Sequence, residues 1–141
     1  MIKMLFPVVI IVFSNVFYNL ATKFTPSQAN SFLSLTITYI TAAVLSFVSF
    51  IITSDTKNLA VEFSKLNWTA YVLGITIIGL ELGYILLYRA GWKIGVGSLV
   101  ANITLACVLL LIGVFCFKEN FSIKQLLGMV ICVIGLVMIT K

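Results

Sequence analysis

Charge is what this chain has least of. Nine of its 141 residues are basic and four acidic, so 9% are charged, against about 25% in an ordinary soluble domain. So few charges cannot cover a water-facing surface. Histidine is absent, which removes the commonest metal ligand and general base. The three cysteines, Cys107, Cys116 and Cys132, sit inside apolar runs without CxxC or Cys/His spacing. They read as small membrane-buried hydrophobes rather than a disulfide or metal site. No nucleophile–base pair, ligand cluster or phosphate-binding glycine loop is visible. The sequence therefore predicts no enzyme, no metal and no cofactor. The net charge of +5 does not point to nucleic acid, because the basic residues fall singly at the ends of apolar runs, where they anchor a helix at the interface.

What the chain has is apolar length. Hydrophobic residues make up 62% of it, and the mean hydropathy is +1.21. A helix needs about 20 mostly apolar residues to cross the hydrocarbon, and five runs qualify. The expected fold is an all-α integral membrane protein, a single domain over residues 1–141 with five transmembrane helices. Their approximate bounds are 4–22, 31–53, 68–90, 97–117 and 123–140. The first run exceeds the apolar core of a signal peptide and lacks a small-x-small cleavage site, so it reads as a retained helix. Pro7 falls in its first turn, where proline is tolerated. Between the second and third spans, residues 59–66 mix Glu62 and Lys65 with Val61, Phe63 and Leu66, a segment suited to lying along the interface. Trp68 is placed to anchor the third span among the headgroups.

Five spans put the two ends on opposite sides. One side then receives Lys3, Lys57, Lys65, Lys118 and Lys124, and the other Lys23, Arg89, Lys93 and Lys141. Topology follows a clear Lys/Arg asymmetry, and none exists here. A single orientation with the N-terminus inside and insertion in both orientations both remain open.

Ionisable groups at membrane depth are expensive and mark functional sites by default. Glu81 fits, near the middle of the third span. At 100° per residue Gly74, Ile77, Glu81, Tyr84 and Tyr88 share one face, while Thr76, Gly79 and Gly83 form a small-residue surface on the other. That span is therefore expected to be buried on both sides, with its carboxylate and tyrosines turned to a cavity or partner. Glu81 could bind a cation or exchange a proton, or be a structural glutamate held by a neighbouring helix. Arg89 is expected to snorkel. The first span carries a polar stripe of Ser14, Asn15, Tyr18, Asn19 and Thr22, read either as a cavity wall for a solute or as interhelical glue. Ser98 and Asn102 repeat it in the fourth span. Ser34, Thr38 and Thr41 of the second read as hydroxyls that satisfy their own backbone. The glycosylation-like triplets at Asn67 and Asn102 read as chance.

Three stretches carry a resemblance. Tyr88-Arg89-Ala90-Gly91-Trp92, the acidic turn and next helix start Phe117-Lys118-Glu119-Asn120-Phe121-Ser122-Ile123-Lys124-Gln125-Leu126-Leu127-Gly128, and Cys132-Val133-Ile134-Gly135-Leu136-Val137 together resemble the EamA-type domain of the drug/metabolite transporter superfamily. The likeness is strongest over Gly79–Thr140. It implies a transporter fold built of five-helix repeats, usually two per chain in inverted relation, of which this sequence shows one. Pairing two copies, parallel or inverted, would supply the second repeat. Gly128 and Gly135, one heptad apart, look like the glycine-marked dimerisation helix of the small multidrug resistance proteins. Those relatives place their essential carboxylate in the first helix, where this chain has Asn15 and Asn19, so their mechanism does not transfer residue by residue.

The expected function is a small secondary transporter, multi-pass in the plasma membrane, with the lipid bilayer and a small metabolite or cationic solute as partners. Proton coupling and a homodimeric state are part of that expectation. Glu81, Tyr84 and Tyr88 would form the carboxylate wall, and Asn15, Tyr18, Asn19 and Asn102 would supply hydrogen bonds. The competing class is a non-transporting accessory or scaffold subunit paired with another membrane protein.

Overall fold

The computed structural model describes residues 2–54, 58–118, 120 and 122–140. Lys57 and Lys141 of the charge count, Glu119 of the acidic turn and the side chain of Lys3 lie outside the described residues. Among the described residues every regular element is a helix: α1 (Ile2–Phe24), α2 (Ser31–Thr53), α3 (Leu59–Ser64), α4 (Thr69–Arg89), α5 (Ile94–Phe117) and α6 (Ile123–Thr140). Five of them, all but α3, are long and apolar enough to cross a membrane. At about 1.5 Å per residue, the shortest of these, the 18-residue α6, extends about 27 Å, near the hydrocarbon thickness of about 30 Å.

Local chemistry sets the ends. Asn30 caps α2, its side chain accepting from the amides of Phe32 and Leu33 at 2.9 and 3.2 Å, which satisfies donors that the first turn leaves open. Asn58 does the same for α3 through Ala60 N at 3.1 Å. Asn67 accepts from the Thr69 amide at 3.0 Å and from its hydroxyl, so the first glycosylation-like triplet starts α4. α5 begins three residues before Gly97, with Lys93 extended as its cap. It closes on Lys118, whose left-handed backbone (φ 52°) returns its N–H to Gly113 O, a helix stop of the αL type. Pro7 lies inside α1, just past the first turn because the helix starts at Ile2.

Backbone hydroxyl bonds run through the spans. Thr38 and Thr41 donate to Ser34 O and Ile37 O at 3.1 and 2.9 Å, as do Thr36, Ser49 and Thr53 to carbonyls one turn back. Each satisfies a hydroxyl that lipid cannot.

The chain divides into two compact units. One comprises Met1–Lys23 with Ala90–Lys141, the other Phe24–Arg89. In the first, α5 packs on α6; in the second, α2 packs on α4. Among the described residues few side chains are buried: Leu35, Ile85, Tyr88 and Asn19. Most large apolar residues, among them Phe13, Leu73, Phe115 and Met138, are exposed, as expected where lipid takes the place of a core and the hydrophobic effect does not drive helices together. The small-residue face of α4 is open, with nothing within 4 Å of a Cβ added at Gly79 or Gly83. Burial of α4 on both sides, expected from its two patterned faces, is thus not met within this unit; α2 covers one side only.

Candidate functional site

Polar groups at membrane depth fall into one cluster per unit. In the unit of α1, α5 and α6, a groove of about 560 Å³ lies between α1 and α5. Its α1 wall is Ile11, Val12, Asn15, Val16, Asn19 and Leu20, and its α5 wall runs from Ile94 through Ser98 to Asn102. The α1 wall repeats every four residues, so one face of the helix supplies it. At one end the two helices are tied by Lys23 Nζ donating to Trp92 O at 3.0 Å. Asn19 and Asn15 on one wall and Ser98 and Asn102 on the other stand within about three turns of that tie, at matching levels.

The amides are held along their own helices. Asn19 Nδ2 donates to Asn15 O at 2.8 Å and also to Asn15 Oδ1. Asn102 Nδ2 donates to Ser98 O at 2.8 Å and Ser98 Oγ at 3.2 Å. Asn19 is 4% exposed, a burial that an amide tolerates only when bonded. These bonds leave Asn15 Nδ2 as donor and Asn102 Oδ1 as acceptor, one on each wall. Among the described residues, no ionisable side chain lines the groove. Its volume lies within the range of small-molecule sites. Tyr18 is not part of the wall; its carbonyl accepts from Thr22 Oγ1 at 2.8 Å.

In the unit of α2, α3 and α4, Glu81 is half-buried. The hydroxyl of Tyr39, from α2, lies close enough to interact electrostatically with its carboxylate. The two are not hydrogen-bonded, and among the described residues the buried Tyr39 hydroxyl has no other partner. Further along α4, the rings of Tyr84 and Tyr88 meet in a tilted pair with centroids 6.2 Å apart and 34° between planes, Tyr88 buried. Arg89 does not simply reach outward. It donates to Ser31 Oγ at 2.7 Å, Ala29 O at 2.6 Å and Pro26 O at 3.1 Å, clamping the turn that leads into α2.

That clamp sets the register of the carboxylate. Glu81 stands eight residues before Arg89 on α4, and Tyr39 eight residues after Ser31 on the antiparallel α2. Both are therefore about 12 Å in from the same end. Sequence reasoning missed Tyr39, though a signal existed: a tyrosine well inside a span, where interfacial tyrosines are not found.

The sequence-derived site residues are thus brought together in part. Asn15, Asn19 and Asn102 share the groove, while Glu81, Tyr84 and Tyr88 share the other unit with Tyr39. Gly128 and Gly135 of α6 face open space, with nothing within 4 Å of an added Cβ. The family model for EamA-like transporters matches residues 1–141. No curated protein and no solved structure matches the chain.

Proposed function

The chain belongs to the EamA-like transporter family, within the drug/metabolite transporter superfamily, and from that premise we propose that it is a proton-coupled secondary transporter of the plasma membrane that acts as a homodimer. The observation that carries this reading is the groove between α1 and α5, a span-depth cavity with a hydrogen-bond donor on one wall and an acceptor on the other. Amides and a hydroxyl without charge suit a small polar metabolite that is itself uncharged, since a bare ion would lose its hydration there without a counter-charge. Glu81 supplies the coupling: a half-buried carboxylate in a span can take up and release a proton as its surroundings alternate between water and protein. A second reading, in which a cationic solute rides on Glu81 itself, is favoured by the tyrosine rings of Tyr84 and Tyr88 along the same helix through cation–π attraction.

A second copy has a place to dock. The open glycines Gly128 and Gly135 permit close backbone approach of another helix, and a nearly balanced Lys/Arg distribution suits copies inserted in opposite directions.

The test is flux in liposomes that contain only this protein, with a pH-sensitive dye inside and a panel of neutral metabolites and quaternary ammonium ions outside. Glu81→Gln should abolish pH-driven flux and spare downhill exchange of a neutral solute. pH-driven flux that survives the substitution unchanged removes Glu81 from the mechanism. A protein inert alone but active beside a second membrane protein makes it an accessory subunit instead.

A further inference from the structure

Tyr39 has no role in the mechanism above, yet its hydroxyl is buried, beside Glu81 and without a hydrogen-bond partner among the described residues. A phenol hydroxyl withheld from water costs free energy unless it is bonded for part of the time. On α2, the helix packed on α4, Tyr39 is the ionisable group that faces Glu81. On α4 itself Tyr84 and Tyr88 follow at three and seven residues, and Arg89 is engaged with the turn at 26–31. No cation reaches the carboxylate among the described residues.

We propose that Tyr39 is the positioning partner of Glu81, its hydroxyl donating a hydrogen bond to the ionised carboxylate and releasing it when the carboxyl is protonated. This rests on the coupling role given to Glu81. The proton enters Glu81 from the aqueous phase and returns there, and Tyr39 keeps its own proton throughout. Glu81 is only half-buried, so a change of its rotamer can make and break the bond. The eight-residue register shared from the Arg89–Ser31 contact keeps the two side chains level. Tyr39 would thus hold the empty, ionised carboxylate in one orientation until a proton or solute displaces the hydroxyl.

Infrared difference spectra between high and low pH, taken on the full chain in lipid nanodiscs, test this without any transport measurement. Glu81→Gln identifies the carboxyl bands by removing them. Tyr39→Phe, which keeps the ring and so the packing, should shift the carboxylate band and delete a tyrosine mode that Glu81→Gln also deletes. Tyr71→Phe, at an exposed position on α4, should leave the spectrum native. Glu81 bands in Tyr39→Phe that coincide with the native ones overturn the pairing. In liposomes the same variant should lower pH-driven flux about tenfold, the scale of one hydrogen bond to a charged group. Shifted bands with flux indifferent to Glu81→Gln would keep the pair and discard the coupling role; unshifted bands with flux lost in Glu81→Gln would do the reverse.

Discussion

In the unit of α1, α5 and α6, polar groups at membrane depth are neutral and held along their own helices, Asn19 by Asn15 and Asn102 by Ser98, with one donor and one acceptor to spare. In the unit of α2, α3 and α4, the polar group at depth is a carboxylate, and the hydroxyl beside it comes from another helix. The difference follows from desolvation. An amide in lipid is repaid by one or two hydrogen bonds that an i, i+4 neighbour can supply. A carboxylate needs a partner or a proton; on α4 the i±4 neighbours of Glu81 are Ile77 and Ile85, which supply neither, and the i+3 neighbour Tyr84 packs its ring against Tyr88. The neutral cluster therefore suits the holding of a solute, and the charged one the uptake and release of a proton.

That division can be broken by experiment. The largest effect expected after loss of Glu81 is on solute binding: Asn15→Leu with Asn102→Leu removes the free donor and acceptor of the groove. With about 0.5–1.5 kcal/mol for each of the two hydrogen bonds, the solute concentration for half-maximal exchange should rise about 5- to 150-fold, while the pH dependence of flux keeps its shape. An altered pH profile in that variant would show that the two clusters do not divide the labour. Next comes Arg89→Ala, which cuts three hydrogen bonds to the turn before α2. Hydrogen bonds to charged groups contribute about 1.5–3 kcal/mol in folded proteins, and partial exposure reduces this. Thermal unfolding in detergent should therefore come several degrees earlier, and Arg89→Lys should recover only part of the loss because one ammonium cannot span the fork. Native stability in Arg89→Ala would mean that the turn holds its own shape, and that the register of Glu81 and Tyr39 has another source. The smallest effect belongs to Lys65→Ala. Its 2.6 Å bond to Glu62 joins an exposed side chain to a half-exposed one on adjoining turns, and such pairs contribute about 0.3–0.5 kcal/mol or less. Unfolding and flux should both stay native; a measurable fall in either would make α3 a working part of the transporter.

Much of the architecture is legible in the amino-acid sequence. Hydropathy alone locates five spans, because a run of about 20 apolar residues has no other stable home. Thr38 and Thr41 could be read as backbone-bonded because a lone hydroxyl in a helix reaches the carbonyl one turn back. The i, i+4 pairs Asn15–Asn19 and Ser98–Asn102 were visible as spacing, since contacts along one helix are fixed by its pitch. Arg89 is expected from the sequence to snorkel to the interface, but nothing in the spacing names its partners there. Its partners at Pro26, Ala29 and Ser31 are about 60 residues away, beyond any local pattern.

Sequence by itself thus determined that this chain lives in a membrane, how many times it can cross, and which faces of its helices are polar, because these depend on transfer free energy and helical period. Only the tertiary structure decided that the stripes of α1 and α5 face one groove and that Tyr39 stands beside Glu81. It also decided that Gly79, Gly83, Gly128 and Gly135 are left open. The physical reason is that helix pairing in lipid is decided by the fit of particular small and polar surfaces, with no hydrophobic gradient to announce in the sequence which faces meet.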